Sequence, residues 1–451
     1  MKLIKTLPLI LTLVLFSACD SLLDVDPQQS ISEETALSTP QNVQAALIGA
    51  YSSFRGSSAY GGNYIYLTDL LADDDQVVWS GTFFQPRQVW TKDIETDNSF
   101  VANTWAASYN TINRVNNVLG ALEVLDAADR PRVEGESKFI RGAVYFNLVR
   151  IYGKAWNDGN PSDNLGVPLI TTPTREIDET SNVPRASVAA IYAQAIQDLT
   201  DARDLLPNNN GVFASSMAAS AMLARIYLIQ GNYEQAAVEA DRVISSGQFS
   251  LMGNYEAVFN RESNSSEDIF SIQVSASDGG NDMRVFYAST GNGGRGDIDI
   301  QQSHLDLYED GDARLDLFYL NLGVHRTGKW RTLTNISVLR LAEMYLTRAE
   351  ANFRLGRVDV GDSPVGDTPL NDINRIRERV NLDPHDELTL EDIRIERHLE
   401  LAFEGHFLSD FKRFERTISG LPFNSPRLVF PIPQREMDVN DQLVQNDGYS
   451  P

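Results

Sequence analysis

The chain is almost without cysteine, holding one in 451 residues. A single thiol closes no internal disulfide and excludes every cysteine-rich zinc or redox site. Histidine is scarce too, with five scattered residues that leave little room for a multi-histidine metal centre. Basic residues are outnumbered, 38 Lys and Arg against 62 Asp and Glu, for a formal charge of −24. A surface of that sign repels phosphate backbones, so no nucleic-acid partner is expected. No apolar run reaches the ~20 residues that a membrane-spanning helix needs. What the chain does have is an ordinary 42% of hydrophobic residues. That is enough for a sizeable core, in one large domain or two to three smaller ones.

The first residues give the lone thiol a meaning. Met1 to Lys5 carries two lysines, and Leu7 to Ala18 is apolar. A stretch this short reads as the h-region of a signal peptide, residues 1–18. It ends in Ser17-Ala18, followed at once by Cys19. That placement resembles a bacterial lipobox, although Phe16 stands where leucine is commonest, with Leu15 beside it. The expectation is that Cys19 is diacylated and becomes the mature N-terminus, because two acyl chains anchor stably where one is marginal. Residues 19–40 then form a lipidated tether.

From Pro40 onward the pattern is mostly helical. Val43, Ala46, Leu47, Ala50, Tyr51 and Phe54 recur at helical spacing, and the same period runs through 99–125, 134–152, 187–206, 215–230, 233–246, 338–355, 370–379 and 390–417. Gly153, Pro207, Gly231, Gly247 and Gly356 are the expected stops. Around Gly231, Ala224 and Tyr227 face Tyr233, Ala236 and Ala240, the pattern of a tetratricopeptide-like hairpin in which small residues let two helices approach. Similar units are expected at about 99–153, 187–247 and 338–380. Residues 59–90 and 253–335 read as loop-rich, with strand-like runs at Ile269–Val274 and Val285–Tyr287. Loops of that length are functional or packed as a cap.

Groups that carry chemistry are few. Gly291 to Gly296 fits GxGxxG but lacks the βαβ setting that a nucleotide needs. Arg295-Gly296-Asp297 is a chance RGD tripeptide in a glycine-rich acidic stretch. Asp73-Asp74-Asp75 has carboxylates for a hard cation but not the EF-hand spacing, and His398 and His406 lack a third ligand. No GxSxG, P-loop or distinct carboxylate pair is present, so no enzyme, cofactor or metal is expected. Aromatic residues in the loops remain. They stack on sugar rings while Asn, Asp and Arg bind hydroxyls, and on that chemistry Trp79, Phe83, Phe84, Tyr287, Asn292 and Trp330 are the ligand-binding candidates.

An ordered set of motifs then resembles the SusD/RagB family of outer-membrane nutrient-binding lipoproteins. The set comprises Cys19 with Leu23 to Pro27, Lys138 to Gly153 with Gly166 to Leu169, Arg185 to Ser187 with Asp198-Leu199 and Leu206-Pro207, and the hairpin 218–251. It continues through Leu339 to Glu350, Glu396 to Gly405 with Asp410 and Lys412-Arg413, Pro431 to Pro433 and Gln445 to Tyr449. Phe407-Leu408 depart from the family's usual Arg-aromatic pair, and Asp447 replaces a proline. The resemblance implies an α-α superhelix of tetratricopeptide-like units, 41–451, packed with a variable loop-rich ligand-binding half. It implies a lipoprotein on the exterior of the outer membrane, in Bacteroidetes-type bacteria. There it lids a SusC-like TonB-dependent barrel transporter and delivers an oligosaccharide, or in some members a peptide, without bond cleavage. A scaffold that binds other proteins through its helical repeats and a surface glycoside hydrolase are the remaining alternatives.

Overall fold

The structure, a computed structural model, describes residues 37–175, 181–275 and 281–450. Cys19, the signal peptide and the 23–27 motif lie outside the described residues. Helix α1 (Pro40–Phe54) starts on a Thr39 cap with proline at its first turn. The short α2 (Tyr66–Leu71) and α3 (Phe84–Thr91) follow, then the long pair α4 (Ser99–Leu119) and α5 (Arg130–Tyr152). Next come α6 (Val188–Leu205), α7 (Ser216–Gln230) and α8 (Tyr233–Ser245), then two short helices, α9 (Asp282–Tyr287) and α10 (Gln302–Leu305). The last group is α11 (Leu341–Arg354), α12 (Pro369–Arg379), α13 (Leu390–Glu400), α14 (Phe407–Arg413) and α15 (Gln434–Val439). Asn98, Ser187, Ser215, Asn232, Thr368 and Thr389 cap the helices that follow them by accepting first-turn N–H groups.

The long helices pack mainly in series, α1 on α4, α4 on α5, then α6, α7, α8, α11 and α12, with α13 also on α11. Such nearest-neighbour stacking is how helical-hairpin repeats build a continuous core. Small residues set the spacing. A Cβ added at Gly142 of α5 would lie 2.9 Å from the Ala195 carbonyl oxygen of α6, and one at Gly135 would lie 2.7 Å from Leu206. Gly231 closes the α7–α8 hairpin at φ +72°, a conformation that favours glycine.

The strands are short. They are β1 (Val77–Trp79), β2 (Leu165–Pro168), β3 (Arg185–Ser187), β4 (Asp268–Ile272), β5 (Ile298–Ile300), β6 (Phe318–Asn321), β7 (Val324–Thr327) and β8 (Ile336–Arg340). They form an antiparallel sheet in the order β1-β5-β7-β6 and two ribbons, β2-β3 and β4-β8. Three local expectations are corrected. Val285–Tyr287 is the end of helix α9, started by Asn281 accepting the Arg284 N–H, and not a strand. Residues 59–90 contain α2 and α3; α2 is buried on every side and therefore shows no amphipathic contrast. The run 390–417 is two helices, because Phe403 (φ 63°) and Gly405 (φ 80°) reverse the chain inside the core.

That reversal is held by charge. Arg340, 2% exposed, reaches Glu400 at 2.5 Å and Glu404 at 2.7 Å. Lys329 Nζ also binds Glu404, at 2.6 Å, and Arg379 pairs with both Glu400 and Glu267. Arg314 joins Glu396 to Asp312 at 2.6 and 2.7 Å, and Arg397 meets Asp410 at 3.0 Å. Arg413 pairs with Glu350 and Asp410, and Arg225 with Glu343. Burial pushes the Glu400 carboxyl up, but Arg379, Arg340 and Arg314 together hold it well below the usual carboxylate range. Removing one partner leaves the other charge buried and uncompensated. Arg340→Met is therefore expected to lower the unfolding free energy by about 3–5 kcal/mol in urea titrations. Arg130→Ala, whose partner Glu123 is 89% exposed, is expected to change it by less than about 1 kcal/mol.

Candidate functional site

The sheet edge at β1 organises the most exposed aromatic cluster. β1 pairs with β5 in the register Val77↔Ile300 and Trp79↔Ile298. Past it, the Ser80 N–H donates to the Asp297 carbonyl at 2.8 Å and its hydroxyl to Asp299 at 2.9 Å, fixing residues 80–83 beside the 288–297 segment. Phe83 then stands extended ahead of α3, 39% exposed, and Phe84 opens the helix at 58%. The Arg295 guanidinium lies 4.4 Å over the Phe83 ring, a cation–π contact. Its Nε donates to Asp297 at 2.7 Å and its NH2 donates to Thr82 Oγ1 at 3.0 Å. The RGD tripeptide is thus internally paired. On the same loop, Asn292 donates to the Ser289 and Tyr319 hydroxyls at 3.2 and 3.1 Å, while Arg284 donates to its carbonyl oxygen at 2.8 and 3.1 Å.

Phe83 and Phe84 therefore reach the surface at the start of α3, with the half-buried Asn292 on the adjoining loop. Trp79, Tyr287 and Trp330, expected on the ligand face, lie instead in the core. Trp79 is 2% exposed, packs on Phe286 at 5.4 Å, and donates its indole N–H to the Phe83 carbonyl at 3.0 Å. Tyr287 is against Phe403, with its hydroxyl 3.4 Å from Asp69, and Trp330 donates to the Phe403 carbonyl at 3.1 Å. Each polar tip finds an acceptor within the protein and each ring is buried, Trp330 at 2% exposure, which removes the free face that stacking requires. Arg295, Thr82 and Tyr319 join Phe83 and Asn292 here without a sequence pattern that singles them out. Only the proximity of an arginine and a glycine-rich loop to loop aromatics could have pointed to Arg295.

The remaining candidates are structural. Asp73 accepts the Gln76 and Val77 N–H groups at 2.8 Å and the Trp90 indole at 3.0 Å, and Asp74 accepts the Ser419 N–H at 2.7 Å. Among the described residues no group of three or more His, Cys, Asp or Glu is placed to hold a metal ion. Gln76 Oε1 sits 2.9 Å from His304 Nδ1 and 2.8 Å from His398 Nε2, so both rings present N–H to one acceptor. Burial lowers both imidazoles, His398 to about 3, and His398 stacks on Phe407 at 4.1 Å. His406 is likewise buried beside Arg397 and Glu343.

The fold and this face define a helical-repeat scaffold that presents a small surface of aromatic and hydrogen-bonding side chains. Two family models match the chain: one described as starch-binding associating with outer membrane over residues 21–228, and one of the SusD family over 316–421. SusD-like protein P2 of Formosa agariphila is 26% identical over the full length of both chains. The starch-binding protein SusD of Bacteroides thetaiotaomicron is 30% identical over 38% of this chain and 31% of its own. A putative sugar binding protein from Bacteroides vulgatus superposes with a TM-score of 0.81 at 26% identity, covering 92% of this chain and 100% of that one. A SusD superfamily structure from B. thetaiotaomicron gives 0.79 at 26% identity, covering 90% and 99%. The chain belongs to the SusD/RagB family.

Beneath the face, Asp69 is buried with one carboxylate oxygen unpartnered, and burial raises its pKa from 3.8 to about 8. With the folded value the higher one, its contribution to stability is full below about pH 3.8 and is lost as pH rises through about 8. Asp69→Asn is expected to melt progressively higher than the wild type as pH is raised from 5 to 8.5. A difference that shrinks with pH would overturn this assignment.

Proposed function

We propose that the protein is a carbohydrate-binding lipoprotein of the outer membrane, anchored through Cys19 and facing the cell exterior. It captures an oligosaccharide and hands it, as a hinged lid, to a SusC-like TonB-dependent barrel transporter. The observation that carries the binding step is the exposed Phe83–Phe84 pair backed by Arg295. Phenyl faces stack on the C–H face of a pyranose, and the remaining guanidinium N–H groups, the Thr82 hydroxyl and the Asn292 side-chain oxygen supply directional hydrogen bonds to hydroxyls. The relatives that bear sugar- or starch-binding names, and the family description of association with the outer membrane, support the ligand class and the location. Capture and release need no proton transfer or nucleophile, and the clustered acids at 396–410 are engaged in ion pairs. The core aromatics Trp79, Tyr287 and Trp330 serve this face by supporting it.

The test is a titration of neutral and acidic oligosaccharides and of oligopeptides, followed by tryptophan fluorescence and product mass. Trp79 is the reporter, because its indole is bonded to the residue on which the ligand would stack. Saturable binding of a glycan that keeps its mass supports the reading, peptide binding alone moves it to peptide capture, and shortened products refute it. Phe84→Ala and Arg295→Ala are expected to lose about 1–3 kcal/mol of binding with unchanged melting. Trp330→Ala should instead lower the melting temperature. Cys19→Ser is expected to abolish acyl labelling and to release the protein from the membrane fraction. Co-purification of the wild type with a β-barrel protein tests the handover.

A further inference from the structure

Away from this face, two cavities of about 320 and 270 Å³ open between α1, the 208–213 loop and β4. They share Val212, Phe213, Phe270 and Ser271, and so adjoin as the two halves of one grooved surface. Each alone approaches the size of a small-molecule site, at about 300 Å³ or more. None of Phe83, Phe84, Asn292 and Arg295 lines it.

The two cavities differ in chemistry. The first is lined by Ile48, 52% exposed, and Val212, 48% exposed, next to the Phe213 ring, which leans on Tyr51 at 5.1 Å. The second adds the amides of Asn208, Asn209, Gln248 and Asn264. The charged residues in the lining are one of each sign, Arg55 and Asp268. Ser271 lines both halves, is 2% exposed, and its hydroxyl has no hydrogen-bond partner among the described residues. The Asp268 Oδ1 atom is likewise buried and without a partner among the described residues.

An amide offers donor and acceptor together, as a sugar hydroxyl does, and apolar side chains adjoining amides suit the C–H faces and hydroxyls of a pyranose. A peptide strand added along β4 is disfavoured, because Gln273 Nε2 already donates to the Ser271 carbonyl at 3.1 Å and to Asn264 at 3.1 Å. We infer that this groove is a second, separate subsite for an uncharged oligosaccharide. The ligand class rests on the proposed carbohydrate-binding function, while the position of the subsite rests on the groove alone.

The full-length chain in detergent is titrated calorimetrically with maltoheptaose, laminarihexaose, xylohexaose and mannohexaose, and with tetra-alanine. Two equivalents of one glycan are expected. Val212→Trp, which fills the groove, should remove one equivalent and leave the other affinity unchanged, and Phe84→Ala should do the reverse. Asn208→Ala, an exposed position that adds no bulk, should weaken the groove equivalent about tenfold and carries the test if the tryptophan variant melts early. One equivalent, sensitive to Phe84→Ala and indifferent to both groove variants, overturns the subsite and leaves the carbohydrate reading standing. Tetra-alanine binding that Val212→Trp abolishes overturns the ligand class. Silence toward every glycan overturns both.

Discussion

The fold depends on one buried arrangement of charge at the turn between α13 and α14. Glu396, Glu400, Glu404 and Asp410 project from one short segment into the core and are met by Arg314, Arg340, Arg379, Arg397, Arg413 and Lys329 from other elements or from the same segment. Each ion is expensive to desolvate, and only a complete set of partners offsets that cost. Elements distant in sequence are therefore held in one mutual placement: β8 and the 329 loop by Glu404, α12 and β8 by Glu400, α11 by Arg413 and Glu350. Hydrophobic contact is tolerant of small slides; a network of short charged hydrogen bonds is not.

From that turn the constraint passes to the surface through rings. Phe403, left-handed at φ 63°, takes the Trp330 indole on its carbonyl and the Tyr287 ring at 5.5 Å. Phe286, one residue before Tyr287, packs on Trp79 at 5.4 Å and on Phe83 at 6.4 Å. The exposed phenyl thus stands on a stack of buried aromatics that ends at the ionic core. A side chain fixed in this way loses little further entropy on binding, which is how a few exposed rings are made effective. The three aromatics that proved to be buried belong to the same assembly, as the support for Phe83 and not as contacts.

The helical scaffold was legible in the sequence because its signals are local. The 3.6-residue period, the caps at Asn98, Ser187 and Ser215, and the stop at Gly231 all act within a turn or two of themselves. The α13–α14 reversal was not legible, since Leu399, Leu401, Ala402, Phe403, Phe407 and Leu408 are all buried and carry an apolar pattern straight through the break. Nor does spacing reveal that Glu396 or Arg397 is buried, because only distant partners make that tolerable. The candidate face was half legible for a similar reason. Loop aromatics lead to the region of Phe83 and Phe84, but exposure is decided by pairing: Trp79 faces inward because β1 alternates, with Val77 and Trp79 buried and Val78 between them half-buried. A three-residue strand is too short to announce that period.

The charge arrangement also bears on what the proposed face can hold. Buried pairs contribute equal numbers of both signs, so the formal −24 is expressed largely outside the core. Arg295 stands against that background, yet Asp297 at 2.7 Å neutralises it. The face therefore offers a guanidinium as a planar surface and a source of directed N–H groups, with little net positive potential to attract an anion. An acidic polysaccharide would meet the acidic surface on approach and find no compensating cation, whereas a neutral glycan meets neither penalty. Capture governed by stacking and neutral hydrogen bonds is also insensitive to salt. Under the proposed placement on the cell exterior, that suits capture from a medium whose ionic strength the cell does not control.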